Sequence, residues 1–142
     1  YQAYLTVSDF EGVSDSSSVN ILVYEQDTTP QVNVAFRVNM QNEAVSPEGV
    51  FLNGTFINWN LADEIRMNYS AGTIYEATVP LPVGAQVEYK FSNGSQNWAN
   101  YEILDGLYCA VNTSGTDNRG FTVPSMDTLL YEVCFGTCDP CQ

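Results

Sequence analysis

The residues of this chain best suited to chemistry are aromatic. Trp59 lies in FINWN (residues 56–60) with an Asn on each side, and Trp98 ends SNGSQNW (92–98). A sugar ring has apolar C–H faces, so a flat exposed indole can stack on it while polar neighbours read its hydroxyls. Tyr and Trp suit this because they expose a large apolar area at low entropic cost. The polar loop context of both tryptophans predicts surface rings, against the opposing expectation that they pack into the core. Tyr101, close after Trp98, would extend the platform. Lys90 is the only lysine. Val87, Tyr89 and Phe91 alternate onto one face, so Lys90 shares the other with Glu88. There it either joins a cross-strand ion pair of small worth or donates to a hydroxyl beside the stacked ring.

Catalysis finds little support. The chain has no His, no Gly-x-Ser-x-Gly elbow and no phosphate-cradling loop. Asp63 and Glu64 are adjacent, and adjacent strand or turn residues point to opposite sides, so they read as solvated charge rather than a glycosidase pair. A non-enzyme is expected, with no cofactor. Asp9, Glu11 and Asp15 are either a Ca²⁺-binding loop or, the plainer reading, a solvated acidic turn. Seventeen acidic residues against four basic ones give a net charge of −13. Such a chain repels phosphate backbones and anionic bilayers, which excludes nucleic acid as a partner. No run of 18 apolar residues occurs, so membrane insertion is not expected either.

Four cysteines in a small, turn-rich, acidic chain favour an oxidising compartment, hence an extracellular or cell-surface location. The chain lacks an initiator Met, so we expect a mature product or fragment whose targeting segment lay upstream. Cys109, Cys134, Cys138 and Cys141 allow three pairings. The favoured one joins Cys109 to Cys134 and Cys138 to Cys141, with a four-thiolate zinc site as the alternative. A redox Cys-x-x-Cys would need a helix N-terminus, which the end of this chain does not offer.

The elements that must position these residues are strands. Val32, Val34, Phe36, Val38 and Met40 share one face of a strand over 32–40. Further strands are predicted at 49–54, 65–69, 73–79, 86–91, 107–111, 119–123 and 128–135, with turns at 80–84 and 93–95. Near the N-terminus, Ala3, Leu5 and Val7 alternate, as do Val19, Ile21 and Val23, around a turn-rich stretch at 8–18. Spacing of this kind with Gly, Pro and Asn punctuation describes an all-β sandwich. Residues 1–26 and 31–142 are expected to be separate units joined by a linker at 27–30.

Two resemblances sharpen this reading. Residues 50–59, the stretch YEATVPLPVG (75–84), the stretch EYKF (88–91) with Asn93-Gly94 and Trp98, and the stretch DNRGFTV (117–123) occur in order. Together they resemble carbohydrate-binding module family 48, the glycogen- and starch-binding modules of the early-set immunoglobulin-like group, over about residues 45–123. The resemblance implies an immunoglobulin-like sandwich with a glucan site at Trp59, Trp98, Lys90 and Asn118. The Gly94-to-Trp98 gap is longer than in that family, and the cysteine-bearing tail looks more like related modules of secreted Bacteroidota proteins. Residues 1–26, with LTVSD and a following Gly, resemble the closing hairpin of a polycystic-kidney-disease (PKD) repeat. The expected partners are a polysaccharide and upstream domains of the same polypeptide. Two alternatives stand beside this. In one, an adhesin or extracellular filament module pairs residues 1–26 with a neighbouring copy. In the other, an enzyme accessory domain packs its tryptophans against a catalytic domain.

Overall fold

The computed structural model describes residues 28–113 and 115–142 in full, together with residue 12 and the backbone of residues 2–8 and 14–20. Strands β1 (Gln2–Ser8) and β2 (Ser14–Asn20) form an antiparallel hairpin, with Ser8 opposite Ser14 and Gln2 opposite Asn20. The turn expected over 8–18 is therefore corrected: its serine run pairs with β1, and of the strand expected over 19–23 the described residues, Val19 and Asn20, continue that pairing opposite Ala3 and Gln2. Hairpin register follows the closure of the chain, and polar side chains do not prevent backbone pairing. Residues 21–23 lie outside the described residues, as do Asp9, Glu11 and the side chain of Asp15, on which the Ca²⁺ reading rests.

The remaining strands are β3 (Gln31–Asn39), β4 (Val50–Gly54), β5 (Ile65–Arg66), β6 (Asn68–Ala71), β7 (Ile74–Pro82) and β8 (Gln86–Asn93). They continue with β9 (Ala110–Val111), β10 (Asn118–Thr122), β11 (Thr128–Leu129) and β12 (Val133–Cys134). One sheet has the order β5-β4-β8-β10-β9, the other β11-β3-β7-β6, with β12 also lying parallel along β3. Among the described residues there is no α-helix, only single 3-10 turns at Thr55–Ile57, Leu61–Asp63 and Trp98–Asn100.

The two sheets close on one apolar layer, so the chain is a β-sandwich. Along β3, Val34, Phe36 and Val38 are buried and alternate with more exposed neighbours, as the period of two requires. The facing sheet contributes Val50, Leu52, Val87 and Phe91. Phe36 is the hub: Phe56, Tyr89 and Phe121 surround it at centroid distances of 5.7, 4.8 and 5.8 Å. The last two are edge-on, the arrangement that suits aromatic quadrupoles. Burial pushes the Tyr89 hydroxyl up to about 12.

Three strand predictions need adjustment. The 65–69 strand is split at buried Met67, which leaves β5 in one sheet and β6 in the other. Pro80 and Pro82, read as a turn, continue β7 and pair with Asn33 and Gln31. Among the described residues no strand pairs with the far edge of β7 beyond Glu76, so the missing proline N–H groups cost no ladder bond there. The 128–135 strand is two short pieces, β11 and β12, laid end to end along β3.

The favoured cysteine pairing is also corrected. Cys109 is bonded to Cys138 and Cys134 to Cys141, with Cα separations of 5.6 and 4.8 Å. The reason lies in the turn after β12. Thr137 N donates to Cys134 O and Cys134 N to Asp139 O, with Gly136 at φ 70°. This reversal returns Cys141 to Cys134 and holds Cys138 at the bend beside Cys109, whose N–H donates to Cys138 Sγ at 3.2 Å. The disulfides take the place of the zinc alternative.

Candidate functional site

Trp59 is placed by a tight exit from β4. Gly54 is extended, and a Cβ there would meet Glu88 O at 2.5 Å and the Phe56 ring at 2.6 Å. Only glycine lets the strand pass this close to β8. A 3-10 turn follows, then Asn58 and Trp59 at φ 53° and 57°, with Trp59 N donating to Gly54 O at 3.1 Å. The reversal sends Phe56 inward to the core and leaves Trp59 half-buried at the rim. Asn60 then caps the next 3-10 turn, its side chain accepting from Ala62 N at 3.1 Å.

Trp98 opens a 3-10 turn capped by Asn97, which accepts from Ala99 N at 3.0 Å. Its indole is 53% exposed and lies on the ring of Tyr101, with centroids 4.9 Å apart and planes tilted by 33°. Tyr101 is buried beneath it. The Tyr101 hydroxyl accepts from Asn53 Nδ2 at 2.8 Å and donates to Glu64 Oε1. Burial first, and then the bond to the Glu64 carboxylate, hold that hydroxyl well above the usual phenol range.

Lys90 and Asn118 come from the floor, on β8 and β10. Both are buried as residues, at 8% and 3% exposure. Asn118 Nδ2 donates to Glu88 Oε2 at 2.8 Å, and Thr113 Oγ1 donates to the other Glu88 oxygen. Glu88 is thereby committed to Asn118 and Thr113, and the cross-strand ion pair considered for Lys90 does not form among the described residues. Lys90 makes no ion pair with any described residue. Asp117 is held below the usual carboxylate range by the Gly106 N–H first, then by Asn112, with a smaller attraction from Lys90.

Trp59, Lys90, Trp98, Tyr101 and Asn118 all line one open groove of about 480 Å³. Sequence reasoning missed part of its wall: Glu102, the 74%-exposed Ile103, Asp105 and Thr116. Glu102 is the informative omission. Its oxygens accept from Arg119 Nε at 2.9 Å and Arg119 Nη2 at 2.6 Å, and from the N–H groups of Phe91 and Gly136, each at 3.0 Å. Arg119 also donates to Thr137 O at 2.8 Å and sits over the Phe91 ring at 5.5 Å. A signal for this pair existed. Arg119 shares strand parity with Phe121 and Val123, and a charge on an apolar face demands a buried partner. The identity of that partner is not a local property of the sequence.

No protein-family model matches the chain. It is 34% identical over 93 residues to an alpha-amylase of Niallia circulans, a match that takes in 64% of this chain and 7% of that protein. A gamma-CGTase from alkalophilic Bacillus clarkii superposes with a TM-score of 0.53 and 25% identity, over 94% of this chain and 19% of that one. The glucoamylase of Hormoconis resinae gives a TM-score of 0.53 at 22% identity, over 75% of this chain and 18% of its own, and supports the fold alone. The chain thus spans less than a fifth of each of these three proteins.

Proposed function

We propose that the chain is a non-catalytic module that binds polysaccharide, an α-glucan first among the candidates, by stacking sugar faces on Trp59 and Trp98. The observation that carries this is the convergence of five residues on one groove: two indoles, the Tyr101 ring beneath one of them, and a cation and an amide on the floor. The names of two matched proteins, an alpha-amylase and a gamma-CGTase, agree with starch as the ligand class. Their much greater length leaves room for catalytic parts outside the stretch that matches this chain. Glu102, the buried carboxylate at the groove, is saturated by four donated hydrogen bonds, which makes it a poor general acid or base.

In this reading the module is family-48-like and immunoglobulin-like, and residues 1–26 are the end of a separate PKD-like unit. The two disulfides fit an extracellular setting. An open groove with two stacking rings recovers little after ordering costs, so the affinity is on the order of micromolar to millimolar.

Affinity electrophoresis in gels containing amylose, glycogen, cellulose or xylan tests the proposal. Wild type is expected to be retarded by an α-glucan. Trp59→Ala and Trp98→Ala should each lose most of that retardation while keeping a cooperative unfolding transition. Residues 28–142 alone should behave as the full chain does. Unretarded migration of the wild type on every polymer would refute glycan binding and favour the filament reading or the one in which the tryptophans pack against a catalytic domain.

A further inference from the structure

The two tryptophans sit on loops far apart in the chain, so something must fix the distance between them. We infer that Glu64 is the positioning residue that sets it, by tying the Trp59 turn to the loop carrying Trp98. This deepens the glucan-binding reading and rests on it for its consequence in affinity.

Glu64 closes the segment that begins at Trp59, because the 3-10 turn Leu61–Asp63 ends on it. Its carboxylate reaches across to both ends of the other loop. Oε2 accepts from Gln96 N at 2.7 Å, and Oε1 accepts from the Tyr101 hydroxyl. Between these two anchors stands Trp98, lying on the Tyr101 ring. Gln96 has a left-handed backbone at φ 50°, a conformation in need of an outside partner to hold it. The Tyr101 hydroxyl is fixed from the other side by Asn53 Nδ2, a fully buried amide on β4. Asn53, Tyr101 and Glu64 therefore form a chain from the sheet to the rim. A second carboxylate, Glu48, accepts from Ser95 N at 3.0 Å and steadies the loop entrance without reaching the Trp59 turn.

The acceptor count shows why an acid is needed at position 64. Both groups that face it are donors, the Gln96 N–H and the Tyr101 O–H, and a carboxylate offers two acceptor oxygens. An amide can satisfy one of them and must turn its own N–H₂ toward the other. Glu64→Gln is thus a half-loss and Glu64→Leu a full loss, with little change in side-chain volume.

The test uses isothermal calorimetry on the whole chain with maltoheptaose, a seven-unit chain able to reach both rings, and methyl α-glucoside, a single sugar unit that can stack on only one. Glu64→Leu should weaken maltoheptaose binding about tenfold, with Glu64→Gln in between. Affinity for methyl α-glucoside should stay within about twofold, because each ring survives and only their spacing is lost. Equal weakening on both sugars, or none on either, would overturn the inference. A ligand-free measurement separates this outcome from failure of glucan binding itself. In a Trp59→Phe background, where Trp98 is the only indole, Glu64→Leu should raise acrylamide quenching and diminish the near-ultraviolet dichroism of the Trp98–Tyr101 pair. If wild type binds neither sugar, the functional reading fails and the spectroscopy still decides the role of Glu64. An unchanged spectrum would then overturn it.

Discussion

Trp59 holds an indole on a backbone that suits glycine. Its φ of 57° follows Asn58 at 53°, and left-handed geometry costs a residue with a Cβ roughly 1–2 kcal/mol. Asn tolerates it through local hydrogen bonding. Trp has no such relief, so the position gives up stability in exchange for a ring at the rim. This leads to a prediction that separates backbone from side chain. Trp59→Gly should be more stable than Trp59→Ala by about 1 kcal/mol, while both lose glucan retention alike. Urea denaturation of the two variants checks it, and an Ala variant as stable as the Gly variant would show that position 59 relaxes out of the left-handed region. Trp98 differs, since its support is the face of Tyr101 rather than a strained turn. Aromatic type and polar flanks made both indoles legible as candidates. The acid beneath them was not legible, because Asp63-Glu64 reads as ordinary surface charge until Tyr101 and Gln96 are seen to converge on it.

At the scale of elements, the cysteine-bearing tail acts as a brace for the groove wall. Gly136 N and Thr137 O both bond to the Glu102–Arg119 pair, and Cys138 fastens the bend to the segment around Cys109. The bridges close loops of unequal size, with sequence separations of 29 and 7. In the chain-entropy account, replacing Cys109 and Cys138 together by Ser should cost roughly 3.5 kcal/mol, and the Cys134 and Cys141 pair roughly 2.5 kcal/mol. Guanidinium unfolding of the two double variants would test the order. The longer bridge should also matter more to glucan affinity, since it holds the segment leading to Thr116 and Asn118. Strand patterns made much of this frame readable: β3 and β8 stand where period two puts them. The rest depended on neighbours. Pro80 and Pro82 look like breakers until the free edge of β7 is known, and Ser14 looks like a turn until Ser8 lies opposite. Cys134 could be assigned to Cys141 only once Gly136 had reversed the tail.

Across the whole molecule, net charge and buried phenols both lower stability as pH rises. The chain carries −13 near neutrality, and self-repulsion of that kind already favours expansion. Two tyrosines resist ionising in the folded state: Tyr89, pushed up to about 12 by burial, and Tyr101, raised by burial and by Glu64. A folded pKa above the unfolded value of about 10 means that the native state keeps its proton longer. The associated stability is fully present below about pH 10 and is lost as pH climbs through the folded value. Unfolding free energy should therefore be insensitive to these groups up to about pH 9, then fall by up to about 1.4 kcal/mol per pH unit for each tyrosine. Tyr89→Phe should remove one share of that slope, because a ring without a hydroxyl has nothing to ionise beside Phe36. Tyr101→Phe should remove the other share and also free Asn53 and Glu64, so its stability is expected to be lower across the whole range. Urea midpoints of the three proteins along an alkaline series distinguish the two roles. A wild-type slope unaffected by either substitution would assign the alkaline loss to net charge alone.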